Sequence, residues 1–193
     1  MLQNLNLSLK AGEPTAIIGP SGKGKTTLIR LLLALLKAEK GQIRLLDKDG
    51  ERELTTSHRI NLAYIPQGNS LFSGTIRENL LLHVKEEGAM DMQKALWLAC
   101  AEFVFDLPDG IDTVVGESGI GLSKGQAQRV AIARALMHDG DIWLFDEVTS
   151  ALDKTTSDTL IHRLLEHGKH KICLFVTHDV HLAEKCQQRI YLN

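Results

Sequence analysis

Gly19-Pro20-Ser21-Gly22-Lys23-Gly24-Lys25-Thr26 decides the reading of this chain. It fits the pattern G-x-x-x-x-G-K-[ST], with the apolar run Thr15-Ala16-Ile17-Ile18 before it and a helical pattern over 25–37 after it. A strand that enters a glycine-rich loop and leaves it as a helix aims backbone N–H groups and a positive dipole end at one point. That makes an anion site suited to phosphate. Lys25 is then expected to reach the β- and γ-phosphates and the Thr26 hydroxyl to ligate Mg²⁺, with Thr27 completing the phosphate-binding residues. Lys23 adds a further positive charge to the loop. The plain alternative, a glycine-rich turn ahead of an ordinary helix, fits the strand–loop–helix context poorly.

Outward from the loop, Leu5, Leu7 and Leu9 alternate with Asn6, Ser8 and Lys10, which predicts a half-buried strand. The helix over 25–37 is expected to stop near Gly41. Segments 43–46 and 61–65 read as strands, with a turn at Asp47-Lys48-Asp49-Gly50 between them. From Gly68 to Met137 the character changes: 75–82 and 89–103 read as helices, 107–121 as an ordered loop, and Ser123 starts another helix. Strand patterns return at 142–145, 172–176 and 189–192, with a helix over 154–167. This order predicts an α/β P-loop NTPase fold with a mostly parallel sheet and an inserted helical subdomain. The expected division of the single domain is 1–67 and 141–193 for the core and 68–140 for the helical insertion.

Composition sets bounds. A chain of 193 residues with 44% hydrophobic and 24% charged residues is ordinary for one globular domain. A formal net charge of -2 gives no bulk attraction to nucleic acid or anionic lipid, so phosphate must be held by local geometry. The most apolar stretch, 28–36, is broken by Arg30 and is short of the roughly 20 residues of a membrane span. No secretory signal pattern opens the chain. Cys100, Cys173 and Cys186 are odd in number and far apart, which argues for free thiols in a reducing compartment.

Ile142-Trp143-Leu144-Phe145-Asp146-Glu147 is an apolar run ending in two acids. A buried parallel strand delivers such carboxylates at its C-terminal edge, where ligand sites form in α/β sheets. Asp146 is expected to hold Mg²⁺ through water and Glu147 to polarise an attacking water as general base.

Leu122-Ser123-Lys124-Gly125-Gln126-Ala127-Gln128-Arg129 lies between the phosphate loop and these acids. In that order and spacing the segments resemble the motifs of the ABC-transporter ATPases, and the resemblance spans nearly the whole chain. Glu147-Val148-Thr149-Ser150-Ala151-Leu152-Asp153 is similar to that family's D-loop, and Val176-Thr177-His178-Asp179 to its switch-histidine segment. Tyr64-Ile65-Pro66-Gln67 is similar to its Q-loop. The resemblance implies ATP and Mg²⁺ as cofactors, with Gln67 a further Mg²⁺ ligand and His178 placed to bond the γ-phosphate. It also implies that ATP is buried between two ATPase domains, as a homodimer or heterodimer. Ser123, Gly125 and Gln126 of one copy would then face the nucleotide in the other. Lys124 stands where many members have Gly, which a backbone contact tolerates if the side chain points away. Ser123 also reads as the N-cap of its helix, and the two roles are compatible.

Two more stretches, Leu71-Phe72-Ser73-Gly74-Thr75-Ile76-Arg77-Glu78-Asn79-Leu80 and Thr113-Val114-Val115-Gly116-Glu117, look like those of exporter-type members. The implied partner is the transmembrane domain of an exporter, with this chain on the cytoplasmic face of the membrane and no nucleic acid involved. The first aromatic residue is Tyr64, so the family's adenine-stacking position upstream of the loop has no counterpart. The expectation is an ATPase domain truncated at both ends from a longer exporter polypeptide, or else a short separate subunit. Alternatives are an ATP-gated dimerisation or regulatory module with little turnover, and a soluble ABC ATPase acting outside transport. The remaining histidines, His58, His83 and His138 among them, read as surface or packing residues.

Overall fold

The computed structural model describes residues 2–68, 71–82, 90–116, 119 and 121–192. In chain order the elements are β1 (Thr15–Ile18), α1 (Lys25–Leu32), β2 (Arg44–Asp47), β3 (Gly50–Glu53), β4 (Leu62–Ile65), β5 (Gly74–Thr75), α2 (Ile76–Leu81), α3 (Met92–Leu98), β6 (Val114–Val115), α4 (Lys124–Leu136), β7 (Ile142–Asp146), α5 (Lys154–His167), β8 (Ile172–Thr177), α6 (Val180–Lys185) and β9 (Gln188–Tyr191). Five strands form one parallel sheet in the order β4-β7-β8-β1-β9. This is the α/β architecture that the alternating pattern predicts.

The sheet is covered on both faces, so β1, β4, β7 and β8 are buried at successive positions rather than at alternate ones, while the edge strand β9 alternates. Ala16, Ala63, Trp143, Phe145, Cys173 and Phe175 point to one face, where the buried positions of α2 to α6 meet them. Ile17, Leu62, Leu144, Leu174 and Val176 point to the other, against Leu28, Ile29 and Leu33. Phe145 and Phe175 stack at 4.5 Å between centroids, adding about 0.5–1.5 kcal/mol to their area burial. All three cysteines are buried and free, and burial drives Cys173 up to about 12 and Cys186 up to about 11.

Register matters most at the C-terminal edge. Ile18 lies opposite Thr177, and Asp146 opposite Val176. The residues after these strands, Gly19, Glu147 and His178, therefore leave the sheet along one rim.

Several elements differ from the sequence pattern. The helix expected over 25–37 ends at Leu32. Ala34 adopts a left-handed φ of 50°, while Leu35 N–H bonds Arg30 O at 2.8 Å and Ala34 N–H bonds Leu31 O at 2.9 Å. The helix expected over 89–103 is α3 alone. It ends the same way, with Cys100 at φ 54° and Ala101 N–H on Leu96 O at 2.8 Å. Both are Schellman closures with Ala or Cys where glycine is usual. Residue 89 lies outside the described residues.

No strand forms over 5–9; instead Leu5, Leu7 and Leu9 all lie against the α1-side core. The alternation there reports burial without a ladder partner. The turn at 47–50 closes a β2–β3 hairpin, whose polar second strand carries no apolar period. The 107–121 loop includes β6, which pairs antiparallel with β5. No helix among the described residues is long and apolar enough to cross a membrane.

Candidate functional site

The loop after β1 has the geometry that its glycines permit. Gly22 and Gly24 hold φ values of 82° and 95°, conformations that a side chain would strain. A Cβ on Gly19 would meet Leu192 O at 2.6 Å, so the loop starts in direct contact with the end of β9. Gly24 caps α1, and Leu28 N–H closes the first turn on Gly24 O at 2.8 Å. The Lys25 ammonium turns back into the loop, donating to Gly19 O and, at 3.1 Å, to Pro20 O. Ser21, Lys23 and Thr26 are exposed, and Thr27 is half-buried. A cavity of about 310 Å³ flanks the loop between Ile18, Gly19, Pro20, His178, Tyr191 and Leu192.

The second wall is the end of β7. Asp146 is buried and lies within electrostatic reach of Lys25 and of the Tyr64 hydroxyl. Burial pushes the Asp146 pKa up, the neighbouring Glu147 charge pushes it further, and Lys25 and Tyr64 pull it back. Burial and the Asp146 charge in turn raise the Tyr64 hydroxyl. A desolvated carboxylate held near a lysine and a phosphate loop is a site that a divalent cation would complete. Thr26 hydroxyl, Asp146 carboxylate and Gln67 amide are hard oxygen donors of the kind Mg²⁺ takes. Gln67 follows β4, the strand beside β7, and is exposed.

Glu147 stands in a left-handed conformation, φ 52°, a strained setting for a residue with a side chain. Its N–H donates to Val176 O at 2.9 Å, and its carbonyl accepts from Ser150 N at 3.1 Å. Its carboxylate, 10% exposed, lies 2.6 Å from Nδ1 of His178, which is 72% exposed. The carboxylate and the imidazole therefore face the same rim as the phosphate loop, two candidate groups to orient a water or a phosphate oxygen.

Ser123 caps α4. Its Oγ accepts from Gln126 N at 3.2 Å, and Gln126 Oε1 accepts from Ser123 N at 2.9 Å. This reciprocal box leaves the hydroxyl hydrogen of exposed Ser123 available to donate outward. Gly125 packs on the segment after Glu147: a Cβ there would meet Ala151 O at 2.8 Å. α4 itself packs on α2, α3 and β4.

The stretches 71–80 and 113–116 come together. Gly74 and Thr75 pair with Val115 and Val114, Ile76 N–H donates to Thr113 O at 3.1 Å, and Arg77 grips Asp112 at 2.7 and 3.0 Å. Buried Asn79 ties Phe72 from both sides, through its N–H and its carbonyl, at 2.9 Å each. Glu117 and His83 lie outside the described residues. His58 caps a short helical turn through Thr55 and His138 bonds Ile60 O at 2.6 Å, both packing roles. The sequence pattern did not single out Tyr64 or Gln128 as site residues. The available signal for Gln128 was a polar residue on the buried side of α4.

The ABC transporter family profile matches residues 2–150. The chain is 39% identical over 190 residues to the ABC multidrug transporter MDR2 of Trichophyton interdigitale (strain MR816), which covers 96% of this chain and 14% of that protein. It is 41% identical over 174 residues to the ATP-dependent permease MDL1 of Candida albicans, covering 89% of this chain and 25% of that one. The solved structure of a bacterial Atm1-family ABC exporter with ATP bound matches with a TM-score of 0.83 at 35% identity. That match covers 96% of this chain and 32% of the exporter chain. This chain thus spans between 14% and 32% of the length of these relatives.

Proposed function

This chain belongs to the ABC transporter family, and we propose that it is the Mg-ATP-hydrolysing domain of an exporter, working as a head-to-tail pair. The observation that carries this reading is the shared rim. The phosphate loop, the buried Asp146 and the Glu147–His178 pair all leave the C-terminal edge of one parallel sheet.

Gly19 to Thr27 bind the phosphates through backbone N–H groups and Lys25, whose ammonium exchanges its loop carbonyls for phosphate oxygens. Thr26, Asp146 and Gln67 hold Mg²⁺, which supplies neutralisation of the charge on the transferring phosphoryl group. Glu147 accepts the proton of the attacking water, and His178 orients the γ-phosphate side of the reaction. Ser123, Gly125 and Gln126 address the nucleotide of the facing copy. The chain divides, on this reading, into a core of 1–67 and 141–193 and a helical part of 68–140. The paired segments 71–80 and 113–116 are the surface toward a transmembrane domain, and the ATPase works at the cytoplasmic face of the membrane. The relatives that are named as multidrug transporter, permease and exporter support export over import.

Phosphate release from Mg-ATP tests the reading. The parent chain is expected to turn over, Lys25→Ala to lose nucleotide binding, and Glu147→Gln to keep binding while turnover falls by about 10²–10⁴-fold. Turnover that persists in Glu147→Gln would remove Glu147 as the base. A parent chain that binds ATP without turnover would favour the ATP-gated regulatory module.

A further inference from the structure

The charged ends of the site are accounted for, but one fully buried polar side chain is not. Gln128 is 2% exposed in the middle of α4, between Ala127 and Val130 on the apolar side of the helix. Its Nε2 donates to Glu147 O at 3.4 Å and its Oε1 accepts from Ala151 N at 3.2 Å. Both bonds reach the segment that leaves β7, and none reaches solvent. The same segment is where Glu147 holds its positive φ, with its N–H already fixed to Val176 O. A left-handed residue persists only where its surroundings over-determine it. Among the described residues, the Glu147 carbonyl accepts from Ser150 N–H and from the Gln128 amide. One turn earlier on α4, Gly125 lies directly against Ala151 O.

We propose that Gln128 is a positioning residue for hydrolysis: from α4 it holds the backbone of Glu147 and the start of the following loop, and so sets where the Glu147 carboxylate points. The inference rests on the ATPase reading above. It also gives that reading a physical link. The helix whose first turn would face the partner's nucleotide is hydrogen-bonded to the base of its own subunit. Movement of α4 on closing the pair reaches Glu147 through one amide, with no change in the phosphate loop.

The test is Gln128→Met, close in volume and unable to make either bond, assayed for turnover, KM and ATP affinity beside the parent chain and Lys25→Ala. The expected result is a kcat about tenfold lower or more, with KM and ATP affinity within twofold of the parent and an unchanged circular dichroism spectrum. A second measurement separates positioning from general packing. Replacing Glu147 by Gly relieves the φ constraint, so the drop in urea midpoint caused by Gln128→Met is expected to shrink by at least half in the Glu147→Gly background. If Gln128→Met fails to fold, Gln128→Leu, shorter and equally unable to make either bond, is expected to fold and show the same loss in kcat. Unchanged kcat, a parallel loss of kcat and ATP affinity, or an undiminished midpoint drop would each overturn the role of Gln128. Absence of turnover in the parent chain would instead overturn the ATPase reading.

Discussion

Nδ1 of His178 lies 2.6 Å from Oε2 of Glu147, across the ends of neighbouring strands β8 and β7. The pair is asymmetric, with the carboxylate nearly buried and the imidazole open. The contact joins the two groups from the protein side and leaves the rest of the imidazole facing the phosphate loop. It depends on the backbone of Glu147 staying left-handed, because an extended or helical residue there would aim the carboxylate elsewhere.

That dependence is measurable as stability. Glycine carries no penalty at φ 52°, whereas alanine costs on the order of 1 kcal/mol there. Glu147→Gly is therefore expected to exceed Glu147→Ala in urea stability by about 1 kcal/mol, with both variants inactive. Equal stabilities would show that the conformation carries no strain.

Ser123 offers two roles that one substitution separates. Aspartate caps helices as well as serine does, so Ser123→Asp is expected to keep the thermal midpoint within about 2 °C of the parent. Its negative charge would sit against the γ-phosphate of the facing subunit, and ATP-dependent pairing and turnover are expected to be lost. A fully active Ser123→Asp would restrict Ser123 to capping.

Asp146 predicts a pH dependence. Burial, then the charge of Glu147, raise its pKa in the folded state, so the folded chain holds this proton to higher pH than the unfolded chain does. The stability tied to that proton is complete below the unfolded carboxylate range near about 4 and is lost as pH rises through the elevated folded value. Asp146→Asn is therefore expected to be more stable than the parent at pH 7 without nucleotide, with the gap closing toward pH 4. A gap that is independent of pH would contradict this.

Gly125 has no positive φ, so its need for glycine comes from contact alone. A Cβ at 2.8 Å from Ala151 O forces a shift of the loop or of α4. Gly125→Ala is expected to cost about 1–3 kcal/mol in urea unfolding and to cut turnover at least tenfold while ATP binding is retained. Parent-like stability would show that the packing is looser than this contact implies.

Much of this arrangement was legible in the residues. The predicted helix Lys154–His167 formed with those bounds, helped by Asp153 as its N-cap. The sheet strands at β7 and β8 were legible because buried parallel strands are continuous apolar runs. The two overextended helices were not, since Ala34 and Cys100 end them in a conformation usually signalled by glycine. Segment 5–9 misled because alternation reports which side is buried, not whether a strand lies alongside. Spacing singles out Gly19, Lys25 and Asp146, and the structure brings the three to one rim of the sheet. Gln128 carries one signal, a polar residue on the buried side of α4, but its partners are backbone groups 19 and 23 residues away, and those leave no mark on the sequence.

Closure of a nucleotide-bound pair shows directly in the mass of the Glu147→Gln variant, measured by size-exclusion chromatography with light scattering. A dimer in Mg-ATP and a monomer in Mg-ADP is the expected result, with the ATP dimer abolished by Ser123→Asp. A variant that binds Mg-ATP yet stays monomeric at every concentration tested would contradict pairing through this chain's own surfaces.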